Sequence, residues 1–439
     1  MPGEVGVTAT VPVATSPVAM RAVYASTVGS VLEWVDFAAY GAVAATVFPV
    51  LFFSSMDPST AILAAFATFG VGFFARPFGG LFFGMLGDRI GRKNVLLYTL
   101  CLMGATSFLI GCLPTYAQVG ILAPLALVAL RFAQGFALGG EATGAQLMTM
   151  EHAPPDKRGL YGAFINTGSS VSAALTNAML FVLTGSMGAR AFTEWGWRVP
   201  FLCSFLLVIV GVYIRLKVAE TPAFLEMRKS GPRVRSPMVQ AFREQPITIM
   251  RLIVVWCAPC VCFYVVNVFG LTYITKTLGM SSSGTFLCLL IANVVAVFAV
   301  VLGGLCSDRF GRKRTMMVAS VLMLLAALAF FPLLATRHWF AILFAITAFV
   351  ASIQIQSGVQ PALFAEPFPT HIRYSGSAAA YTGANLIASG PTPFVAAWLF
   401  QHSGGQTWAI TIMCVAVIVC ALVATALGPE TRGTDMFRS

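Results

Sequence analysis

The chain has 439 residues, 58% of them hydrophobic and only 10% charged, and a formal net charge of +11. That much apolar side chain exceeds what a soluble core can use, so a soluble globular domain is excluded and a polytopic membrane protein is expected. The basic surplus does not indicate nucleic acid, because the Lys and Arg residues gather in short loops on one side of apolar segments.

Residues 1–22 lack the basic start, apolar middle and cleavage site of a signal peptide and read as a cytoplasmic tail. Apolar segments long enough to cross about 30 Å of hydrocarbon follow near 23–53, 60–86, 95–113, 121–150, 160–184 and 196–217. Six more follow near 247–274, 284–306, 315–335, 338–363, 375–400 and 407–427. The predicted fold is an all-α membrane protein of twelve transmembrane helices in two pseudo-symmetric six-helix bundles, 23–217 and 247–427. Residues 218–246, punctuated by Pro222, Gly231, Pro232 and Pro237, form a cytoplasmic linker, and 428–439 a cytoplasmic tail. Of the 27 Lys and Arg residues, 21 fall in loops on one side, which places both termini and the linker in the cytoplasm. Arg190, Lys276 and Arg337 fall on the other side, and Arg76, Arg131 and Arg198 lie within or at the edge of membrane segments. The ten cysteines pack as small hydrophobes in or beside apolar runs. The CxxC of Cys257 and Cys260 lacks the polar setting that redox or metal chemistry needs.

The stretch Gly84-Met85-Leu86-Gly87-Asp88-Arg89-Ile90-Gly91-Arg92-Lys93 returns as Gly304 to Lys313. Gly84, Asp88, Arg89, Gly91, Arg92 and Lys93 all recur at an offset of 220 residues. A repeat at fixed spacing, wedged each time between apolar segments, marks a duplicated membrane unit. One copy alone reads equally well as a set of positive-inside anchors. Two copies at equivalent places favour a conformational latch of Asp88, Arg89 and Arg92 in one half and Asp308, Arg309 and Arg312 in the other. Glu151 and Glu366 end the fourth and tenth segments on the same side, so Arg92 with Glu151 and Arg312 with Glu366 are the expected pairs.

Five ionisable residues lie at depth: Glu33, Asp36, Arg76, Arg131 and Glu141. Each costs about 2.5–3.5 kcal/mol at a helix centre on insertion scales, which points to function, although a structural Arg131–Glu141 pair is the plain alternative. Two permanent cations face three carboxylates, leaving one acid to load and release a proton. Glu33 and Asp36, three apart on one helical face, are the first candidates, with Glu141 and Arg131, ten residues apart and on different faces, as the others. Arg76 lies about 12 residues, or roughly 18 Å, from Asp88 along a helix, where a guanidinium suits a substrate carboxylate. The second half carries uncharged Tyr264, Asn267, Gln356, Gln360, Tyr381 and Asn385. With Arg198 these are candidate substrate ligands, or alternatively partners in interhelical hydrogen bonds.

The pattern Gly-x-x-x-Asp-Arg-x-Gly-Arg-Lys and its echo resemble the signature of the major facilitator superfamily. Glu33-Trp34-Val35-Asp36-Phe37, Ala75-Arg76-Pro77-Phe78-Gly79-Gly80, Arg131-Phe132-Ala133-Gln134-Gly135, Gly139-Gly140-Glu141, Trp197-Arg198-Val199-Pro200-Phe201 and Phe368 to Gly376 narrow the resemblance to its metabolite:proton symporters. Val35 departs from it, standing where these proteins usually carry Tyr. The resemblance spans residues 20 to 432 and is nearest to shikimate-type and dicarboxylate-type members. It implies proton-coupled symport of a small organic acid across a bacterial inner membrane by alternating access, by a monomer surrounded by lipid. No cofactor, metal or nucleic acid is implied. Carriage of a zwitterionic betaine-like solute, or a non-transporting nutrient sensor, are the rival readings. No HExxH or GxSxG motif suggests an enzyme.

Overall fold

The computed structural model describes residues 17–90, 92–139, 146, 149–150, 153–217 and 237–434. For a few helical residues, among them 17–26, 32–33, 84, 87–90, 92–93 and 213–217, only the backbone is described. The described residues form twelve long helices and no strand. The first half contains α1 (Pro17–Thr46), α2 (Pro58–Ile90), α3 (Arg92–Cys112), α4 (Leu122–Leu138), α5 (Arg158–Glu194) and α6 (Val199–Lys217). The second contains α7 (Pro246–Thr277), α8 (Ser282–Phe310), α9 (Arg312–Ala335), α10 (Trp339–Ala365), α11 and α12 (Trp408–Ala426). Helix α11 runs as Arg373–Ala384, a π-helical turn Asn385–Ser389, and Thr392–His402. Among the described residues seven helices are long and apolar enough by composition alone to cross a membrane. The stretches Leu97–Cys112 and Leu122–Leu138, in α3 and α4, are apolar but shorter.

The observed helices run a few residues past the apolar segments that announce them. Helix α2 continues to Ile90 and α5 to Glu194, with a break at Gly188, whose φ of +74° ends the regular helix. The stretch expected as a plain linker holds a further amphipathic helix, Pro237–Glu244.

Backbone contacts set the bundle geometry. A Cβ on Gly135 or Gly139 of α4 would strike the carbonyl oxygens of Gly72 and Arg76 on α2. In the second half a Cβ on Gly303 or Gly358 would strike Ile355 and Val300 oxygens across the α8–α10 crossing. Small residues at both crossings let helix backbones touch, the usual means of close packing where lipid supplies no hydrophobic drive. Helix α7 contains π-helical turns at Val265–Phe269 and Tyr273–Thr277, and α11 one at Asn385–Ser389. Such turns unseat backbone carbonyls and commonly mark functional positions.

Bonds cross between the halves at both ends of the bundle. At the end carrying Arg158, Asp308 and Arg312, here the basic end, the backbone N–H groups of Gly159 and Leu160 donate to the Asp308 carboxylate, each at 2.8 Å. At the opposite end Thr272 Oγ1 donates to Ala45 O at 3.0 Å and Gln401 Nε2 to Ser59 O at 2.9 Å. The described residues thus bond across the halves at both ends.

Candidate functional site

Helix α1 carries Asp36, Phe37 and Tyr40 on one side, and α4 presents Arg131 and Gln134 to them one turn apart. Asp36 is buried, and its carboxylate accepts a hydrogen bond from the Ser107 hydroxyl of α3 at 2.8 Å and another from the Ser204 hydroxyl of α6. Ser107 Oγ accepts from Gln134 Nε2 at 2.6 Å, and Gln134 Oε1 accepts from Arg131 Nη1 at 2.6 Å. A buried chain of hydrogen bonds thus joins the Arg131 cation to the Asp36 carboxylate through the neutral side chains of Gln134 on α4 and Ser107 on α3. Among the described residues no ion pair links Asp36 to a cation.

The Arg131 guanidinium is wholly buried in an aromatic box, its central carbon 4.0 Å from the ring centres of Phe37 and Tyr40 and 5.1 Å from that of Phe69. Its Nε and Nη2 have no hydrogen-bond partner among the described residues. A guanidinium keeps its charge and all five donors at any physiological pH. Leaving buried donors unmet costs on the order of 1–3 kcal/mol each, so an acceptor reaching this position is strongly favoured. Gly72 on α2 makes the room, since a Cβ there would stand 2.7 Å from Arg131 Nε. Arg76, one turn further along α2 and half-buried, lies 4.4 Å and 4.3 Å from the Phe37 and Phe73 ring centres.

From the second half, Tyr264 packs edge-on against Phe69 and Phe73 at centroid distances of 5.3 Å and 5.6 Å. A cavity of about 40 Å³ lies between the halves, lined by Trp34, Phe37, Ser169, Asn177, Tyr264 and Asn267 among others. It admits water-sized groups only, well short of the roughly 300–1,000 Å³ of ordinary ligand sites, so loading a metabolite requires the halves to part. Asn267 Nδ2 donates to Phe263 O at 3.0 Å and Asn385 Nδ2 to Tyr381 O at 2.9 Å, each meeting a carbonyl four residues back beside a π-helical turn. Asn385 Oδ1 accepts from Ser389 Oγ at 2.9 Å, and the half-buried Tyr381 ring lies 6.3 Å from Trp256.

Three expected substrate ligands sit elsewhere. Arg198 lies where α5 turns into α6, at the end opposite the basic one, and donates to Leu113 O at 3.0 Å and Glu194 O at 3.2 Å, so it ties loops together. Gln356 is turned toward α9, with Nε2 3.4 Å from Met323 Sδ, because its place on the α10 helical wheel faces the bundle interior. Gln360 belongs to a polar seam between the halves, accepting from Asn166 Nδ2 at 3.1 Å and approaching Gln146 Oε1 at 3.5 Å. In the same seam Asn166 donates to Ser357 O at 2.7 Å and Gln354 to Ser170 Oγ at 2.5 Å. Gly91, Glu141 and Glu151 lie outside the described residues, and of Glu33, Gly84, Asp88, Arg89 and Arg92 only the backbone is described.

The second copy of the repeat is described in full. Arg312 is buried and pairs with Asp308 Oδ1 at 2.6 Å and with the buried Glu366 at 2.9 Å, the partner expected from sequence. Asp308 meanwhile accepts the two N–H groups at the start of α5, so one carboxylate bridges Arg312 to the other half. Gly311, at φ +100°, makes the turn into α9 that a residue with a Cβ would resist. Arg309 does not join the pairs: its side chain stacks over the exposed Phe310 ring at 5.3 Å. Residues expected as a plain tail complete the arrangement. Glu430 accepts the backbone N–H groups of Arg312 and Lys313 at 2.8 Å and 3.2 Å, Thr431 donates to Glu366 at 2.7 Å, and Arg158 donates to Thr434 O at 3.0 Å.

Sequence reasoning passed over Ser107, Ser204 and Gln134, which are uncharged and too common in membrane helices to stand out. Gln134 carried the one available signal, its place one turn after Arg131.

The family profile described as Major Facilitator Superfamily matches residues 30–391. The chain belongs to this superfamily. The chain is 35% identical over 417 residues to the inner membrane metabolite transport protein YhjE of Escherichia coli, covering 94% of each. It is 34% identical over 419 residues to the shikimate transporter of the same organism, covering 94% of this chain and 95% of that one. To the proline/betaine transporter of Salmonella typhimurium it is 35% identical over 410 residues, 91% of this chain and 81% of the relative. Among solved structures, the partially occluded inward-open xylose transporter XylE from E. coli superposes with a TM-score of 0.75 at 19% identity, covering 96% of this chain and all of that one. A structure of a D-xylose-proton symporter gives 0.74 at 20% identity, covering 94% and 99%. The likeness fixes the fold as two six-helix halves. This chain is an integral membrane transporter of small metabolites and not an enzyme.

Proposed function

We propose that this transporter carries a small organic acid together with protons across the cytoplasmic membrane, by rocking its two halves about the site beside Arg131. The observation that carries the reading is the buried Arg131 guanidinium, two of whose nitrogens have no hydrogen-bond partner among the described residues and which is linked through neutral groups to Asp36. A substrate carboxylate would meet those donors when the halves part. Arg76 flanks the same aromatic layer, and Tyr264, Asn267, Tyr381 and Asn385 supply polar contacts from the second half. Asp36 would take up the proton: neutralising it removes the negative end of the chain and leaves the Arg131 charge fully available to an anion, so proton and substrate raise each other's affinity. Glu33 and Glu141 are further candidates for the proton. The basic end faces the cytoplasm on the positive-inside pattern, with both termini there, and the Asp308–Arg312–Glu366 cluster holds that end shut as a latch.

A betaine-like zwitterion is the second reading. It is favoured by the proline/betaine relative and by the aromatic walls of Trp34, Phe37 and Tyr264 around the small cavity, since quaternary ammonium groups bind over aromatic faces. Against it, the faces of Phe37, Tyr40 and Phe73 are already taken by the two arginines. Uptake by purified protein in liposomes, across organic acids and betaines with and without an imposed pH gradient, decides. The proposal predicts accumulation of an organic acid only when the outside is acidic. Accumulation of betaines alone, or uptake indifferent to the pH gradient, would overturn it.

A further inference from the structure

We propose that the short helix Pro237–Glu244 between the halves is an anchor that docks on the lipid surface of the bilayer. Spacing puts Met238, Val239 and Phe242 on one face and Gln240 and Glu244 on the opposite one. The structure bears out the division: Met238, Val239 and Phe242 remain 42%, 52% and 44% exposed, while Gln240 donates to Glu244 at 2.6 Å and Glu244 meets His371 Nε2 at 3.0 Å. Between the two faces Ala241 is buried, and the helix packs against the Arg373–Ala384 part of α11 at the basic end of the bundle. Three large apolar side chains left open on so short a helix need a non-aqueous partner.

The surrounding surface says what that partner is. The chain passes directly from Glu244 into α7, whose Ile247 and Met250 are 83% and 55% exposed on one face at the start of an apolar span of 32 residues. The open face of the short helix therefore continues the lipid-facing side of a transmembrane helix. Arg243 stands at the edge of the apolar face, where its stem can lie along lipid while the charge reaches headgroups. An amphipathic helix of this kind seats its apolar face about 5–10 Å into the headgroup and acyl boundary. Because Glu244 and Ala241 tie it to His371 and α11, an anchor here would couple the bilayer surface to the turn that follows Glu366.

An environment-sensitive fluorescent amino acid at Val239, and separately at Gln240, in the full-length protein in phosphatidylcholine–phosphatidylglycerol nanodiscs tests this. At Val239, lipids brominated near the headgroup end of the acyl chain are expected to quench emission about twofold or more over the Gln240 probe, in keeping with that seating depth. A water-soluble iodide quencher should show the reverse order. Met238→Ser with Phe242→Ser, in protein that keeps its melting behaviour, should abolish the lipid quenching. Equal quenching of both probes by iodide would overturn the proposal. So would shielding of Val239 that depends on protein concentration and not on brominated lipid, because a second copy would then cover the face.

Discussion

The two halves place their charges differently. In the first, Asp36 and Arg131 are buried deep among α1, α3, α4 and α6 and communicate through Ser107 and Gln134 without touching. In the second, the described charges in contact lie at the basic end, where Arg312 is closed onto Asp308 and Glu366 at 2.6 Å and 2.9 Å. A directly paired, buried cation is fixed: losing either partner strands the other. A cation held apart from its carboxylate by neutral groups can change partners as the carboxylate gains or loses a proton. On the proposed reading, the contrast separates a part that holds shape from a part that binds and couples, although both halves carry the same repeated loop.

The largest effect is expected where pairing is complete. Glu366→Gln or Arg312→Gln should remove about 3–5 kcal/mol of support from the closed basic end, the usual cost of breaking a buried pair. Labelling of positions in the Asn166–Gln360 seam by a membrane-impermeant reagent from that side should rise steeply. Unchanged labelling would mean that the hold of Asp308 on the first turn of α5 does not depend on the Arg312–Glu366 pair. Arg131→Gln comes next: loss of the substrate's partner should cost about 2–5 kcal/mol, or some thirtyfold and more in apparent affinity, with the fold retained. Normal binding by that variant would make Arg131 a structural cation and move the site toward Arg76.

Smaller and sharper is the comparison of two glycines. Gly72→Ala sets a Cβ against the Arg131 side chain, displacing the guanidinium at a cost of about 1–3 kcal/mol, so binding should weaken while expression holds. Gly135→Ala sets its Cβ against the Gly72 carbonyl instead, so expression should fall. Equal behaviour of the two would remove Gly72 from the site. The smallest effect concerns the helix between the halves. Its Glu244 carboxyl is held below the ordinary 4.5, first by the Gln240 hydrogen bond and then by that of His371. A carboxylate so depressed supports its contact fully above pH 4.5 and loses it as pH falls through the lower folded value. Protection of the 237–244 amides relative to their intrinsic exchange rates should therefore hold at neutral pH and fall only as pH drops below 4.5, and Glu244→Gln should flatten that dependence.

The fold was legible because its signals are coarse: apolar length, the 220-residue repeat and the one-sided basic loops survive any detail of packing. Arg131 and Asp36 stand out because charge in an apolar run is conspicuous, and the Arg312–Glu366 pair was legible because the repeated loop and a carboxylate ending a helix fall on the same side. Gln356 and Arg198 were misplaced because residue type does not give helical rotation or depth: one turn of α10 decides between cavity and bundle interior, and Arg198 sits at a helix junction. Ser107, Ser204 and the Glu430–Thr431 segment were invisible because their importance lies in contacts across more than twenty residues of sequence.

The most direct test of the central claim is Asp36→Asn in proteoliposomes, with substrate exchange and proton-driven accumulation measured on the same preparation. Asn keeps the shape and copies the neutral, protonated acid. The account predicts that the variant still exchanges labelled for unlabelled substrate at a rate close to the native one, yet cannot concentrate substrate when the outside is made acidic. Accumulation that still follows the imposed pH gradient would contradict it and place the proton on another group.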